Sequence, residues 1–241
     1  MRKMIHSTKD NSRGNLFMRK SYEEFLHRFV QYRQQQNMTQ EEISARFGVT
    51  QSQFSKMELG KIIVSYKCLR VLMELGWDVD YLITGKQSSF GTSELSSIVG
   101  RMDETDKREL LSALAWFLEQ GIEKSVANIS FETKCEIEIL KMRSEEKSTS
   151  SVLHEIRQIS HKAQIPMSEK LGVNIKKYRM LEKKKVNPDA ELLLRIYEET
   201  GCKPSLLLEA ADIEYKIIDD LWNQIMPKVQ KQILSLVEQV L

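Results

Sequence analysis

An all-α fold made of two tandem helical domains is predicted by three features of this sequence. Its 241 residues include only four prolines and ten glycines, which favours helices joined by short connections. Apolar residues recur at spacings of three and four between helix-capping residues such as Thr39 and Thr50. The second half repeats the first at an offset of 124 residues, at core and surface positions alike, which predicts a tandem duplication. The matched pairs include Arg33 with Arg157, Gln40 with Gln164, Gly48 with Gly172 and Glu58 with Glu182.

Composition is typical of a soluble globular protein. Hydrophobic residues make up 41% and charged residues 29% of the sequence, and the formal net charge is only +2. No apolar run approaches the ~20 residues that span a bilayer. No apolar segment follows the N-terminal charges, so we expect no signal peptide and a cytoplasmic location. Cys68, Cys135 and Cys202 lie far apart without a C-x-x-C motif, which argues against a zinc site or a disulfide framework.

The chain begins with a basic segment that lacks helical periodicity. Residues 1–20 carry six lysines and arginines against one acidic residue, Asp10. They are predicted to form a disordered arm that follows a DNA backbone or enters a minor groove. The alternatives are an untidy terminus, or an upstream start codon with Met18 rather than Met1 as the true start.

Residues 39–61 are predicted to form two short helices around a tight corner. Thr39 caps the first helix as part of a capping box. Ile43 and Phe47 share its apolar face. Gly48 ends it, because only glycine reaches positive φ without steric cost.

The second of these helices is predicted to turn a polar face outward. Thr50 caps it, and Phe54 and Met57 face inward at a spacing of three. The opposite face consists of Gln51, Ser52, Gln53, Ser55 and Lys56. Amides, hydroxyls and one lysine suit a DNA major groove, where base edges present hydrogen-bond donors and acceptors. The pattern therefore indicates a helix-turn-helix.

At these residues the chain resembles the lambda-repressor-like (XRE/Cro) family of DNA-binding domains. The matching segments are TQEEIS, the corner FGVTQ and the exit SKMELGK, followed by DVDYLITG, which resembles the family's fifth helix. The resemblance covers residues 22–85 and implies a five-helix domain whose third helix enters the major groove. It implies base readout by Gln51, Ser52, Gln53 and Lys56, and phosphate contacts by Arg33, Gln40, Lys61 and Lys67.

The second half keeps the predicted scaffold but not the readout residues. Ala163 and Pro166 occupy the capping-box positions, so the helix there is expected to start late, which leaves the placement of Gln164 open. Ile175 and Met180 replace hydrogen-bonding residues. The remaining surface is basic and suits phosphate contacts without readout, or is a solvated face paired with acids. It comprises Lys176, Lys177, Arg179, Lys183, Lys184 and Lys185.

Five segments are therefore predicted. They are a basic arm (1–20), a helix-turn-helix domain (21–86), a linker and helical connector (87–150), a degenerate helix-turn-helix domain (151–210) and a C-terminal amphipathic helix (211–241). Each domain is followed by a packing helix. The apolar stripe over 219–241, and the middle helix around Trp116 and Phe117, either pack on their own domain or form a homodimer seam.

No catalytic constellation is recognisable. The four histidines show no metal-ligand spacing, and the sequence lacks a phosphate-binding glycine loop, H-E-x-x-H and G-x-S-x-G. We expect no enzymatic activity, no metal and no cofactor. The predicted function is sequence-specific binding of double-stranded DNA by a transcriptional regulator, with repression implied by the resemblance. The second domain would be a phosphate clamp or a reader of a second half-site. A protein-interaction module of the antitoxin or anti-repressor kind is the alternative.

Overall fold

The computed structural model describes residues 19–86, 93–144, 151–208 and 213–240. Within these ranges the chain forms fifteen α-helices and no β-strand, which confirms the predicted all-α class. The first half contains α1 (Lys20–Gln35), α2 (Gln40–Phe47), α3 (Gln51–Glu58), α4 (Tyr66–Glu74), α5 (Val79–Thr84), α6 (Glu94–Val99) and α7 (Glu104–Ser125). After the connecting α8 (Phe131–Ser144) come α9 (Val152–Ile159), α10 (Gln164–Lys170), α11 (Ile175–Glu182), α12 (Ala190–Thr200), α13 (Pro204–Leu208), α14 (Ile213–Trp222) and α15 (Pro227–Val240).

Helices α1 to α5 enclose an aromatic core centred on Phe29. The ring centroids of Phe54, Trp77 and Phe47 lie 5.7, 6.2 and 6.5 Å from that of Phe29. All four side chains are buried. They come from α1, α2, α3 and the loop after α4, so burying this cluster fixes how α2 and α3 are oriented on α1.

Helices α9 to α13 follow the order of α1 to α5. Helices α10, α11 and α12 each begin 124 residues after α2, α3 and α4, and the fully buried Tyr178 lies at the position of Phe54. The late start predicted for α10 is wrong, because the helix begins at Gln164. Pro166 falls within the first turn, where the backbone N–H has no intrahelical partner to lose.

The single C-terminal helix predicted over 211–241 is also wrong. The chain there forms α14 and α15, and α15 begins at Pro227. Proline lacks the amide hydrogen and clashes with the preceding turn, so it ends one helix and starts the next. Helix α15 lies against α7, where a Cβ added at Gly121 would come within 2.8 Å of Ile225 Cδ1 and 3.0 Å of Ile233 Cδ1.

Several predicted segments fall wholly or partly outside the described residues. These are the basic arm up to residue 18, the start of the linker at 87–92, the polar segment 145–150, residues 209–212 where the second domain meets the C-terminal segment, and residue 241. The rest of the linker contains α6, which Ser93 caps by accepting the Ser96 N–H at 3.0 Å. Across the described ranges, no helix combines the length and apolarity that crossing a bilayer requires.

Candidate nucleic-acid interface

The corner between α2 and α3 depends on a capping box and one glycine. The Glu42 N–H donates to the Thr39 hydroxyl at 3.1 Å, and the Thr39 N–H donates to the Glu42 carboxylate at 2.7 Å. The backbone hydrogen bond from Thr39 is the main reason that the pKa of Glu42 lies below its usual range. Gly48 adopts φ = 67°, the left-handed conformation that ends α2. The predicted cap and stop are confirmed.

A second capping box opens α3. The Gln53 N–H donates to the Thr50 hydroxyl at 3.2 Å, and the Thr50 N–H donates to the Gln53 side-chain oxygen at 3.0 Å. This oxygen therefore stabilises the start of α3, and the NH2 group is the part of Gln53 that remains to meet a ligand. The T-x-x-Q spacing in the sequence indicates a capping box, although only the Thr50 cap was predicted.

Helix α3 presents its polar face to solvent because Phe54 and Met57 are buried on its other side. The four predicted readout residues, Gln51, Ser52, Gln53 and Lys56, are all exposed on this short helix. Their carboxamide, hydroxyl and ammonium groups can donate to or accept from base edges. The structure brings them together as one surface.

Buried Arg33 and half-buried Gln40 instead both donate hydrogen bonds to the Glu58 carboxylate. Arg33 donates from Nε to Glu58 Oε1 at 2.7 Å and from Nη1 to the Met38 carbonyl at 2.6 Å, and its side chain is only 11% exposed. Gln40 donates from Nε2 to Glu58 Oε2 at 2.5 Å. Phosphate contacts were predicted for both residues. In this arrangement they tie α1 and α2 to the end of α3, which is a structural role.

Lys61 and Lys67 lie at the edge of the α3 surface, and both are exposed. Lys61 follows α3 directly, and its backbone N–H donates to the Lys56 carbonyl at 2.8 Å. Lys67 is the second residue of α4, and its Nζ lies 3.9 Å from where a Cβ on Gly48 would stand, next to the corner. Both lysines are therefore close to the helix-turn-helix, one along the chain and one in space, and contacts to flanking phosphates remain the predicted role for both.

Helix α11 is held in the second bundle much as α3 is held in the first. Asn174 caps it by accepting the Lys177 N–H at 2.8 Å. Tyr178 and Leu181 are buried and fix its rotation. Ile175 is half-buried and packs against the core, and Met180 is half-buried.

The exposed side of α11 carries positive charge where α3 carries amides and hydroxyls. Lys176, Arg179 and Lys183 are exposed at spacings of three and four, so they share one face. Arg179 also donates from Nε to the Gln164 side-chain oxygen at 3.1 Å. The remaining predicted basic residues are Lys177, which is half-buried, and Lys184 and Lys185, which are exposed after the helix.

The interior ion pair of the first half has a counterpart in the second. Arg157 donates from Nε to Glu182 Oε1 at 2.5 Å and from Nη1 to the Lys162 carbonyl at 3.0 Å. Gln164 donates from Nε2 to Glu182 Oε2 at 2.6 Å. Every partner lies 124 residues after its equivalent around Glu58. Sequence reasoning missed this role, although the same three residue types recur at the offset while the readout residues do not.

The fold and this surface define a class: all-helical proteins that carry a helix-turn-helix. A family model described as helix-turn-helix matches residues 30–72, from the second half of α1 into α4. The model is of the lambda-repressor-like type and indicates a DNA-binding transcription regulator. No curated protein and no solved structure gives a significant match to the chain.

Proposed function

We propose that the protein is a sequence-specific DNA-binding regulator that represses transcription by occupying a promoter. Helix α3 enters the major groove, and Gln51, Ser52 and Lys56 contact base edges together with the Gln53 NH2 group. The observation that carries this proposal is the outward polar face of α3, fixed by a capping box at its start and by the Glu58 ion pair at its end. A rigid presentation of donors and acceptors is what direct readout needs.

The chemistry of the face suggests which bases it prefers. A glutamine such as Gln51 makes its best paired hydrogen bonds with adenine, and Lys56 donates to the O6 and N7 of guanine. The Ser52 hydroxyl can accept or donate a hydrogen bond, so it tolerates several bases. Lys61 and Lys67 hold flanking phosphates, which fixes the register of α3 but carries no sequence information.

The second half acts, in this proposal, as a degenerate copy that clamps phosphates. Two observations support the relationship: α10, α11 and α12 each start 124 residues after α2, α3 and α4, and the hydrogen bonds around Glu58 and Glu182 correspond atom for atom. The exposed basic residues of α11 neutralise phosphates without reading bases. The discriminating feature of the alternative, a protein-interaction module, is an outward apolar face at Ile175 and Met180, and the partial burial of both residues weakens the support for it.

Selection of binding sites from random duplexes tests this proposal. We expect the intact protein to enrich one motif, and Gln51→Ala/Ser52→Ala to bind that motif at least about tenfold more weakly, because each lost base contact costs ~1–3 kcal/mol. Anisotropy titration of a labelled duplex measures the loss.

A matched control uses one glutamine and one serine that are exposed far from the corner. Gln232→Ala/Ser235→Ala on α15 should keep the affinity within about twofold. Equal losses in both variants would show that α3 does not read the motif. Failure of the folded, intact protein to enrich any motif at low salt would direct attention to a protein partner instead.

A further inference from the structure

The two halves of the chain pack against each other through corresponding helices. Helix α12 lies against α5, and α13 lies against both α4 and α5. Helices α12 and α13 are the counterparts of α4 and α5. Interchanging the two halves therefore turns the contact of α5 with α12 into the contact of α13 with α4, and both contacts are present. Such exchange is the mark of an interface with two-fold symmetry.

The exchange extends to individual residues. The Ala190 N–H donates to the Val64 carbonyl at 3.0 Å across the boundary between the halves. The exchanged pair at the offset of 124 is Tyr66 and Pro188, and these two residues line one small cavity of about 60 Å³. The second pair therefore lies near the boundary as well, although among the described residues only the first pair forms a backbone hydrogen bond.

The helices that follow each bundle obey the same relation. Helix α6 packs on α14, and α7 packs on α15. These helices pair at an offset of 123, at which the segment ELLSAL near residue 109 resembles QILSLV near residue 232. Helices that pack on their own counterparts lie beside the symmetry axis. The Ser93 N–H donates to Asp219 Oδ1 at 2.8 Å, and the Met226 N–H donates to the Ser125 hydroxyl at 3.0 Å.

Buried polar groups at this boundary are well satisfied. Asp80, 2% exposed, accepts the Ser205 N–H at 2.8 Å and the Ser205 hydroxyl at 2.7 Å, and it forms an ion pair with Lys216. The Leu208 carbonyl accepts the Tyr66 hydroxyl at 3.1 Å. Satisfied buried polar groups within a continuous apolar core are the signature of a permanent association.

We infer that one chain is an internal dimer whose ligand is duplex DNA with two chemically unequal half-sites. The inference rests on the proposed function of α3. A two-fold pair of helix-turn-helix units reaches half-sites about 10 base pairs apart, one turn of the duplex. Here α3 reads one half-site, and α11 grips the other through phosphates alone.

The two half-sites are unequal because equivalent positions of α3 and α11 carry different residues. Lys176, Arg179 and Lys183 occupy the positions of Ser52, Ser55 and Leu59. Identical subunits need a palindrome, because both present the same readout face. One chain of this kind requires a specific base sequence in one half-site only. The duplex must also be long enough to provide the other half-site, whose sequence does not matter.

Tethered DNA cleavage on the full chain tests the inference. Cys68, Cys135 and Cys202 are buried, so an introduced cysteine is the only exposed thiol of the folded chain. Ala45→Cys and Glu169→Cys are exposed counterparts, each three residues before a corner glycine. With iron–EDTA attached, we expect Ala45→Cys to cleave at the selected motif and Glu169→Cys to cleave about one turn away, on one side only. The mass of the complex should correspond to one chain per duplex.

The possible failures are separable. Cleavage from Glu169→Cys on both flanks, with two chains per duplex and a palindromic motif, would overturn the internal dimer while leaving readout by α3 intact. Cleavage from Ala45→Cys alone would likewise overturn it, because α11 would not be on the DNA. Enrichment of no motif at all would overturn the proposed function and this inference together. Ser235→Cys, exposed on α15, is the control that should not cleave.

A second measurement separates phosphate binding by α11 from base recognition by α3. Lys176→Gln/Lys183→Gln should leave the motif unchanged and make the slope of log K against log salt shallower by about 2, because two phosphate contacts are lost. Lys228→Gln/Lys231→Gln, two exposed lysines of α15, removes the same charge and should leave the slope unchanged. Equal slopes in the two variants would contradict a phosphate grip by α11.

Discussion

Arg33→Met will lower the free energy of unfolding by about 3–5 kcal/mol. The substitution leaves the Glu58 carboxylate, whose side chain is 7% exposed, without its cation. It also removes the N–H group that donates a hydrogen bond to the Met38 carbonyl. An uncompensated buried charge is among the costliest changes a small bundle can suffer. Urea denaturation followed by circular dichroism measures the loss.

Two further variants make this result specific. Arg46→Met removes an exposed arginine of α2 and should change stability by no more than about 0.5 kcal/mol. Arg33→Met/Glu58→Met leaves no buried charge and should recover most of the loss. A loss below about 1 kcal/mol for Arg33→Met, the range of an exposed ion pair, together with weaker DNA binding would restore the phosphate contact first predicted for Arg33.

Asp80→Ala will have an effect of similar size, about 3 kcal/mol or more, at the boundary between the halves. It strips the Ser205 N–H and hydroxyl of their acceptor and leaves Lys216 without its partner. Because these contacts join α5 to α13 and α14, the two halves should also become less coupled. Thermal unfolding measured by calorimetry should then show a broadened or divided transition.

An exposed carboxylate of the same half provides the control. Glu74→Ala on α4 should leave both the midpoint and the shape of the transition nearly unchanged. A single sharp transition for Asp80→Ala, at the midpoint of the unmodified protein, would mean that the halves are not joined through this carboxylate.

Local signals in the sequence were sufficient for the elements of the first bundle. The cap at Thr39 and the stop at Gly48 involve hydrogen bonds between residues three or four apart, so spacing alone predicted them. The helical period likewise placed Phe54 and Met57 inside and the polar face outside. The break at Pro227 is just as local, but the apolar stripe continues across it and so predicts one uninterrupted helix.

The parts that could not be predicted depend on long-range contacts. Arg33 meets Glu58 only after α1 and α3 pack, so its charge was assigned to a phosphate rather than to a partner 25 residues away. The role of Asp80 depends on Ser205, 125 residues further along the chain. The repeat at 124 residues predicted two related halves. Periodicity within each half holds no information on how the halves would face one another.

Sequence-specific DNA binding is central to the proposed function, and the ratio of two dissociation constants tests it most directly. The intact protein is titrated at one fixed salt concentration with the selected duplex and with a shuffled duplex of equal length and composition. The proposed function predicts binding at least about 10³-fold tighter to the selected duplex. Equal dissociation constants for the two duplexes would contradict it, since phosphate contacts alone bind both sequences equally well.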